Sequence, residues 1–242
     1  MKTFKQFISE ALIKTSGHLG SNAGGVYHDD DTNEKHYIKF PTNPEQAKTE
    51  VLGAKIQRLL GINNLKPKLK PVDGKIGVST RWNDKLKPIK LNDVEKMTPD
   101  QHKQLGLGYA SAVLLRNHDY VGTGTNYGQG NLSIDDKGKL HNVDQGASFR
   151  FRAQGGPKPY HDDVSEIHTL RDPTIAPEAA HVFNAAFHRT PEALQHGIEA
   201  VRNLDPEKVH KAFRSSGLPD WEILHNTFNK RKEAFLNYFD KN

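Results

Sequence analysis

Cysteine is absent from all 242 residues, which excludes a disulfide framework and every thiolate-held zinc or iron-sulfur centre. Long apolar runs are missing too. None approaches the roughly 18 residues a membrane-spanning helix needs, and the N-terminus lacks the unbroken apolar core of a secretory signal, so no membrane association and no Sec export are expected. The 13 histidines are scattered, with no HExxH and no pair four apart, so no structural metal site is expected. A continuous basic run or Arg-rich helix, the footprint of sequence-specific DNA recognition, is also wanting.

What remains is a polar but foldable chain. Hydrophobic residues make up 35% and mean hydropathy is -0.74, still short of the charge-rich, aromatic-poor composition of disorder. At this length the chain accommodates one two-lobed domain or two small ones. A formal net charge of +5 favours polyanionic company such as nucleotide phosphates, nucleic acid or an acidic protein surface.

Residues 2 to 13 place Phe4, Phe7, Ile8, Ala11 and Leu12 at helical spacing, which predicts a short amphipathic helix. Glycines at 17, 20, 24 and 25 follow, then β-like runs around Val26 to Tyr27 and Tyr37 to Phe40 across an acidic turn, a glycine-rich hairpin. Asn43-Pro44 opens a helix with Leu52, Ile56, Leu59 and Leu60 as its stripe, ending at Gly61. Residues 66 to 90 alternate prolines with apolar residues and predict strands completing a small sheet. Thr98-Pro99 caps a second helix to about Arg116, whose GLGYASAVLL stretch of small residues demands close packing. A loop, VGTGTNYGQG, and a hairpin from Asn131 to Val143 lead to Asp144-Gln145-Gly146. From Asp163 onward the pattern is helical, and its aromatics are read as core.

Phosphoryl transfer needs a backbone cradle over the phosphates, a cation on them, an amide and a carboxylate to hold a divalent metal, and a carboxylate near the attacking hydroxyl. The chain supplies these types in order. The glycine turn of residues 17 to 25 offers unobstructed N–H groups. Lys39 stands inside the apolar run Tyr-Ile-Lys-Phe, where a charge needs a reason, and the next helix offers Glu45 and Glu50 as partners. Asp119 closes a helix, Asn131 opens a strand, and Asp144 follows that strand's partner, so one hairpin delivers three oxygen-bearing side chains to one end. Each is also ordinary turn chemistry; their joint order behind a buried-looking lysine is not.

On these residues the chain, over roughly 16 to 155, resembles protein-kinase-like enzymes, especially the divergent branch that includes HipA-type toxin kinases, actin-fragmin kinase and the phosphoinositide kinases. The resemblance implies an α+β fold of two lobes, a small β-rich N-lobe over residues 11–92 and a mainly helical C-lobe over 93–242. It implies ATP and Mg2+ as cofactors. Gly20, Gly24 and Gly25 would cover the nucleotide, Lys39 and Glu50 would form the nucleotide-lysine pair, Asp119 would be the catalytic aspartate beside Lys39, and Asn131 and Asp144 would bind metal, Asp144 in DQG standing where the family has DFG. Two departures stand out. The Asp119-to-Asn131 interval is 12 residues rather than five, which makes VGTGTNYGQG an insertion and Asn126 a rival to Asn131. Glu45, not Glu50, lies on the Leu52/Ile56 face. Arg150 and Arg152, alternating with Phe149 and Phe151, occupy the position of an activation segment and suit either an acidic substrate or a half-buried strand.

The opening MKTFKQFISEA resembles the capsid-targeting leader of internal head proteins of T-even-type phages. That likeness implies docking of residues 1–10 on the prohead scaffold and cleavage by the prohead protease after Ile8-Ser9-Glu10, giving Ala11 as mature N-terminus. Both resemblances together imply a kinase carried in the virion, inside the capsid, and released into the host cytoplasm to modify a host protein, with its positive charge allowing non-specific contact with packaged DNA. The alternative is a non-catalytic internal head protein or pseudokinase that binds and inhibits a host factor. An ADP-ribosyltransferase is disfavoured, because no arginine, Ser-Thr-Ser and paired-glutamate arrangement is present.

Overall fold

A computed structural model describes residues 12–17, 22–30, 32–122 and 130–241. Its first layer is a five-stranded antiparallel sheet in the order β1-β2-β3-β5-β4, built from β1 (Leu12–Lys14), β2 (Ala23–Asp29), β3 (Glu34–Phe40), β4 (Lys68–Val72) and β5 (Lys75–Arg81). Helix α1 (Pro44–Leu59) lies between β3 and β4 in the chain and packs against β4 and β5. Its start follows from local chemistry: Asn43 Oδ1 accepts the Glu45 N–H at 2.8 Å, and Pro44 occupies the first turn, where its missing N–H costs nothing.

The expected glycine-rich hairpin is β2 against β3, with Gly24 opposite Lys39 and Gly25 opposite Ile38. Leu12 and Ile13, assigned to an N-terminal helix by spacing, instead form part of β1, paired with Asp29 and His28. In so short a segment, the ladder offered by β2 outweighs an apolar spacing that fits either structure. The rest of that helix, with Glu10 and Ala11, lies outside the described residues.

The second lobe is built around α2 (Pro99–Leu114), capped reciprocally by Thr98 and Gln101. Its small residues do what close packing demands. A Cβ on Gly106 would stand 1.8 Å from the Ala193 carbonyl oxygen, and one on Gly197 would stand 2.3 Å from that of Gly106. The backbones of α2 and α5 (Glu192–Arg202) therefore touch where either side chain would forbid it. Around them lie α3 (Glu166–Thr169), α4 (Pro177–Arg189), α6 (Pro206–Arg214) and α7 (Trp221–Lys241), whose aromatics Phe183, Phe213, Phe228 and Phe235 are wholly buried.

Between the lobes runs a three-stranded sheet, β6 (Lys87–Pro88), β7 (Leu132–Ile134) and β8 (Leu140–Asn142). Lys87–Pro88, expected to help complete the first sheet, pairs with β7 instead. A 3-10 turn at Leu91–Lys96 then leads into α2. The fold is α+β, a small antiparallel sheet with one helix followed by a helical lobe.

Candidate active site

The β3 strand carries Lys39 inward, where it is 8% exposed. Its ammonium meets Glu50 Oε1 of α1 at 2.9 Å and Asp144 Oδ1 at 2.8 Å. Asp144 is shaped by its own turn, since the same Oδ1 accepts the Gly146 N–H at 2.7 Å. Burial alone would depress the Lys39 amine, but the two carboxylates outweigh it and hold the group charged, above its ordinary range. Glu50 is 2% exposed, and burial pushes its carboxyl above the usual range, assisted by the charge of Asp144 and opposed by Lys39. Its Oε2 has no hydrogen-bond partner among the described residues.

The open choice between two glutamates resolves in the geometry. Glu50 pairs with Lys39, whereas Glu45 accepts from Arg150 Nη2 at 3.0 Å, and Arg150 Nη1 also binds Asp220. The apolar stripe misdirected the sequence argument because α1 is enclosed on several sides: Gln46, Thr49, Glu50, Leu52, Gly53, Ile56 and Gln57 are all buried. Arg150, a candidate for contact with an acidic substrate, is spent on these internal pairs. Arg152 is exposed, with no side-chain partner among the described residues.

Asp119 and Asn131 sit together. Asn131 Nδ2 donates to the Asp119 carbonyl at 2.6 Å and to its Oδ2 at 3.2 Å, and the Asp119 N–H donates to Asn117 Oδ1 at 3.0 Å. The Asp119 carboxyl is raised, first by burial and then by the charge of Asp144, with Asn131, Lys158 and Lys39 pulling the other way. These influences place Asp119 within electrostatic reach of both Asp144 and Lys39. Asn126 lies outside the described residues.

The glycines divide. Gly20 lies outside the described residues. At Gly24 and Gly25 the space a Cβ would fill is taken by the protein's own backbone, 2.4 Å from Ile38 O and 2.4 Å from Ser16 O respectively, so strand packing accounts for both without a ligand. Gly17, in the connection from β1 to β2, has nothing among the described residues within 4 Å of its missing side chain.

The donor set suits magnesium, which takes hard oxygen ligands. With Asp144 Oδ1 engaged and Asn131 donating through Nδ2, Asp144 Oδ2 and Asn131 Oδ1 carry no hydrogen bond among the described residues. No group of three His, Asp or Glu side chains among the described residues could cage an ion alone, so phosphate oxygens would have to complete its coordination.

Several residues that shape this site had no sequence signal. Gln46 Nε2 donates to Gly146 O at 3.2 Å, tying α1 to the DQG turn. Glu166 and Arg231 form a fully buried pair at 2.6 Å, and Arg116, three residues before Asp119, joins Glu166 at 3.2 Å. Lys158 bridges the two loops that carry the aspartates.

No family model and no curated protein matches the chain. Among solved structures it is similar to the crystal structure of a Helicobacter pylori proinflammatory kinase, CtkA, with a TM-score of 0.58 over 96% of both chains and 14% identity. That likeness shows the fold, which is kinase-like. Cex1p also aligns, over 99% of this chain and 42% of its own at 12% identity, but with a TM-score of 0.32 that carries no argument.

Proposed function

We propose that a kinase-like fold with this arrangement of side chains is an ATP- and magnesium-dependent phosphotransferase. The observation that carries the reading is Lys39, a buried amine from an early strand that meets Glu50 of the helix and Asp144 of a distant hairpin at 2.9 and 2.8 Å. A buried charge held by two carboxylates is costly to assemble for stability alone, and it suits an amine that neutralises nucleotide phosphates. Asp144 and Asn131 would hold the magnesium ion, which screens charge developing on the phosphoryl oxygens. Asp119, whose raised carboxyl is oriented by Asn131, would accept the proton of the acceptor hydroxyl.

Incubation of the purified protein with magnesium and γ-labelled ATP, with and without host extract, tests this against Asp144→Ala. Label transfer by wild type and none by the variant is expected. ATP binding without transfer would reduce the protein to a nucleotide-binding one, and equal transfer by the variant would remove the site.

The setting we propose rests on the first ten residues alone. Their Ile8-Ser9-Glu10 motif supports a capsid-targeting leader, a protein packaged in the virion, and a host protein as substrate after delivery. Intact mass of the virion-derived chain decides it. A species beginning at Ala11 is expected, and one retaining Met1 refutes it.

A further inference from the structure

The two aspartates stand on separate loops, so their spacing depends on what fastens those loops together. One tie is backbone: the Phe149 N–H donates to Leu115 O at 2.6 Å. The other is Lys158, whose Nζ donates to Arg116 O and, at 2.6 Å, to Ala147 O. Arg116 lies three residues before Asp119, and Ala147 three residues after Asp144. Arg116 and Phe149 both adopt left-handed backbone, with φ of 52° and 57°, a conformation that side-chain-bearing residues keep only where the surroundings enforce it. Both bends fall at this junction, and Arg116 O is one of the carbonyls that Lys158 grips.

We propose that Lys158 is a positioning residue for phosphotransfer, its ammonium clamping the Arg116 and Ala147 carbonyls and so fixing Asp119 relative to Asp144. This role rests on the phosphotransferase reading above.

The surroundings give the clamp a testable signature. Lys158 is half-buried, and the charged and titratable groups acting on it or feeling it are Arg116, Arg152, Arg231, Glu166, His118 and Asp119. Burial first, then the three arginines, lower its amine to about 7, with Glu166 opposing. Below that pH the ammonium has three protons and a charge that favours ionised Asp119. Above it the amine keeps two N–H groups for the two carbonyls but loses the charge that strengthens both bonds, so the clamp loosens and turnover declines as pH rises through the value for Lys158.

Steady-state phosphotransfer by the full chain, profiled against pH for wild type, Lys158→Met and Lys158→Arg, tests this. In Lys158→Met, kcat is expected to fall on the order of 10²-fold, the scale of misplacing catalytic groups by about 1 Å, with KM for Mg-ATP little changed because Lys39 is untouched. Lys158→Arg keeps a permanent cation and its donors, so it should restore much of kcat and move the alkaline decline to higher pH. If Lys158→Met does not fold, the arginine variant decides alone. Wild-type kcat in Lys158→Met, or an alkaline limb unmoved in Lys158→Arg, overturns the clamp while leaving the phosphotransferase standing. Absence of transfer in the wild type overturns both.

Discussion

Removing the Arg231 side chain is the sharpest test of how the helical lobe supports the site. The guanidinium is fully buried and has a partner on every nitrogen: Nε to Leu114 O at 3.1 Å, Nη1 to His161 O at 2.8 Å and to Asp163 O, and Nη2 to Val113 O at 2.5 Å and to Glu166 Oε2 at 2.6 Å. It also stacks 5.2 Å from the Tyr160 ring centroid. Arg231→Met keeps most of the volume but takes a donor from four carbonyls and from one oxygen of a buried carboxylate; Leu114 O and Val113 O keep the Tyr160 hydroxyl and the Arg116 N–H, whereas His161 O and Asp163 O lose their side-chain donor. Breaking a buried pair by deleting one partner costs about 3–5 kcal/mol. Glu166 keeps Arg116 at 3.2 Å, which argues for the lower end. Against a total stability of about 5–15 kcal/mol, that is a large fraction, read as a shift in the urea midpoint at constant slope. Glu166→Gln retains an accepting oxygen and should cost less, roughly 1–3 kcal/mol. The double variant should cost clearly less than the sum of the two, because the pair acts as a unit. Strict additivity, or a loss under about 1 kcal/mol for Arg231→Met, would refute the idea that this pair anchors α7 to the end of α2.

Two further outcomes follow from the geometry. Asp119→Asn should cut kcat by about 10²–10⁴-fold, the usual range for a lost proton acceptor, while Lys39→Met should weaken ATP binding measured by calorimetry; Asp119→Asn that binds and turns over normally would remove it from the chemistry. Gly106→Ala places a methyl where 1.8 Å separates it from Ala193 O, so at least about 3 kcal/mol or a failure to fold is expected, at the high end for overpacking, and a wild-type melting temperature would show that α2 and α5 separate easily.

The elements with strong local chemistry were legible in the sequence. Asn43-Pro44 and Thr98-Pro99 mark helix starts that the capping bonds reproduce, and GLGYASAVLL forecasts the contact at Gly106. The kinase-like architecture was legible too, through the order of Lys39, Asp119, Asn131 and Asp144, although order cannot assign the roles of individual residues. What escaped is tertiary. Arg231 stands in the run Asn-Lys-Arg-Lys-Glu, which reads as a solvated helix face, and nothing local marks it as facing inward. Glu50 was hard to choose over Glu45 because an amphipathic stripe assumes one buried face, and α1 is covered on several.

The middle residue of the DQG turn shows why polar side chains crowd this region. Gln145 is 1% exposed, and its Nε2 donates to Asn142 Oδ1 at 2.7 Å, where Gln57 Nε2 of α1 also donates at 2.9 Å. Asn142 Nδ2 in turn donates to Tyr120 O at 2.9 Å and Asn131 O at 3.1 Å. One buried amide thus touches the helix that carries Glu50, the turn that carries Asp144, and the neighbours of Asp119 and Asn131. An apolar side chain at 145 would pack without preferring one register, and it would leave the Asn142 oxygen with one donor fewer. Directional bonds to a shared amide fix the register because every member must be satisfied at once. Asp144 and Glu50 therefore meet at the Lys39 ammonium at 2.8 and 2.9 Å as a consequence of a polar core that tolerates little slippage.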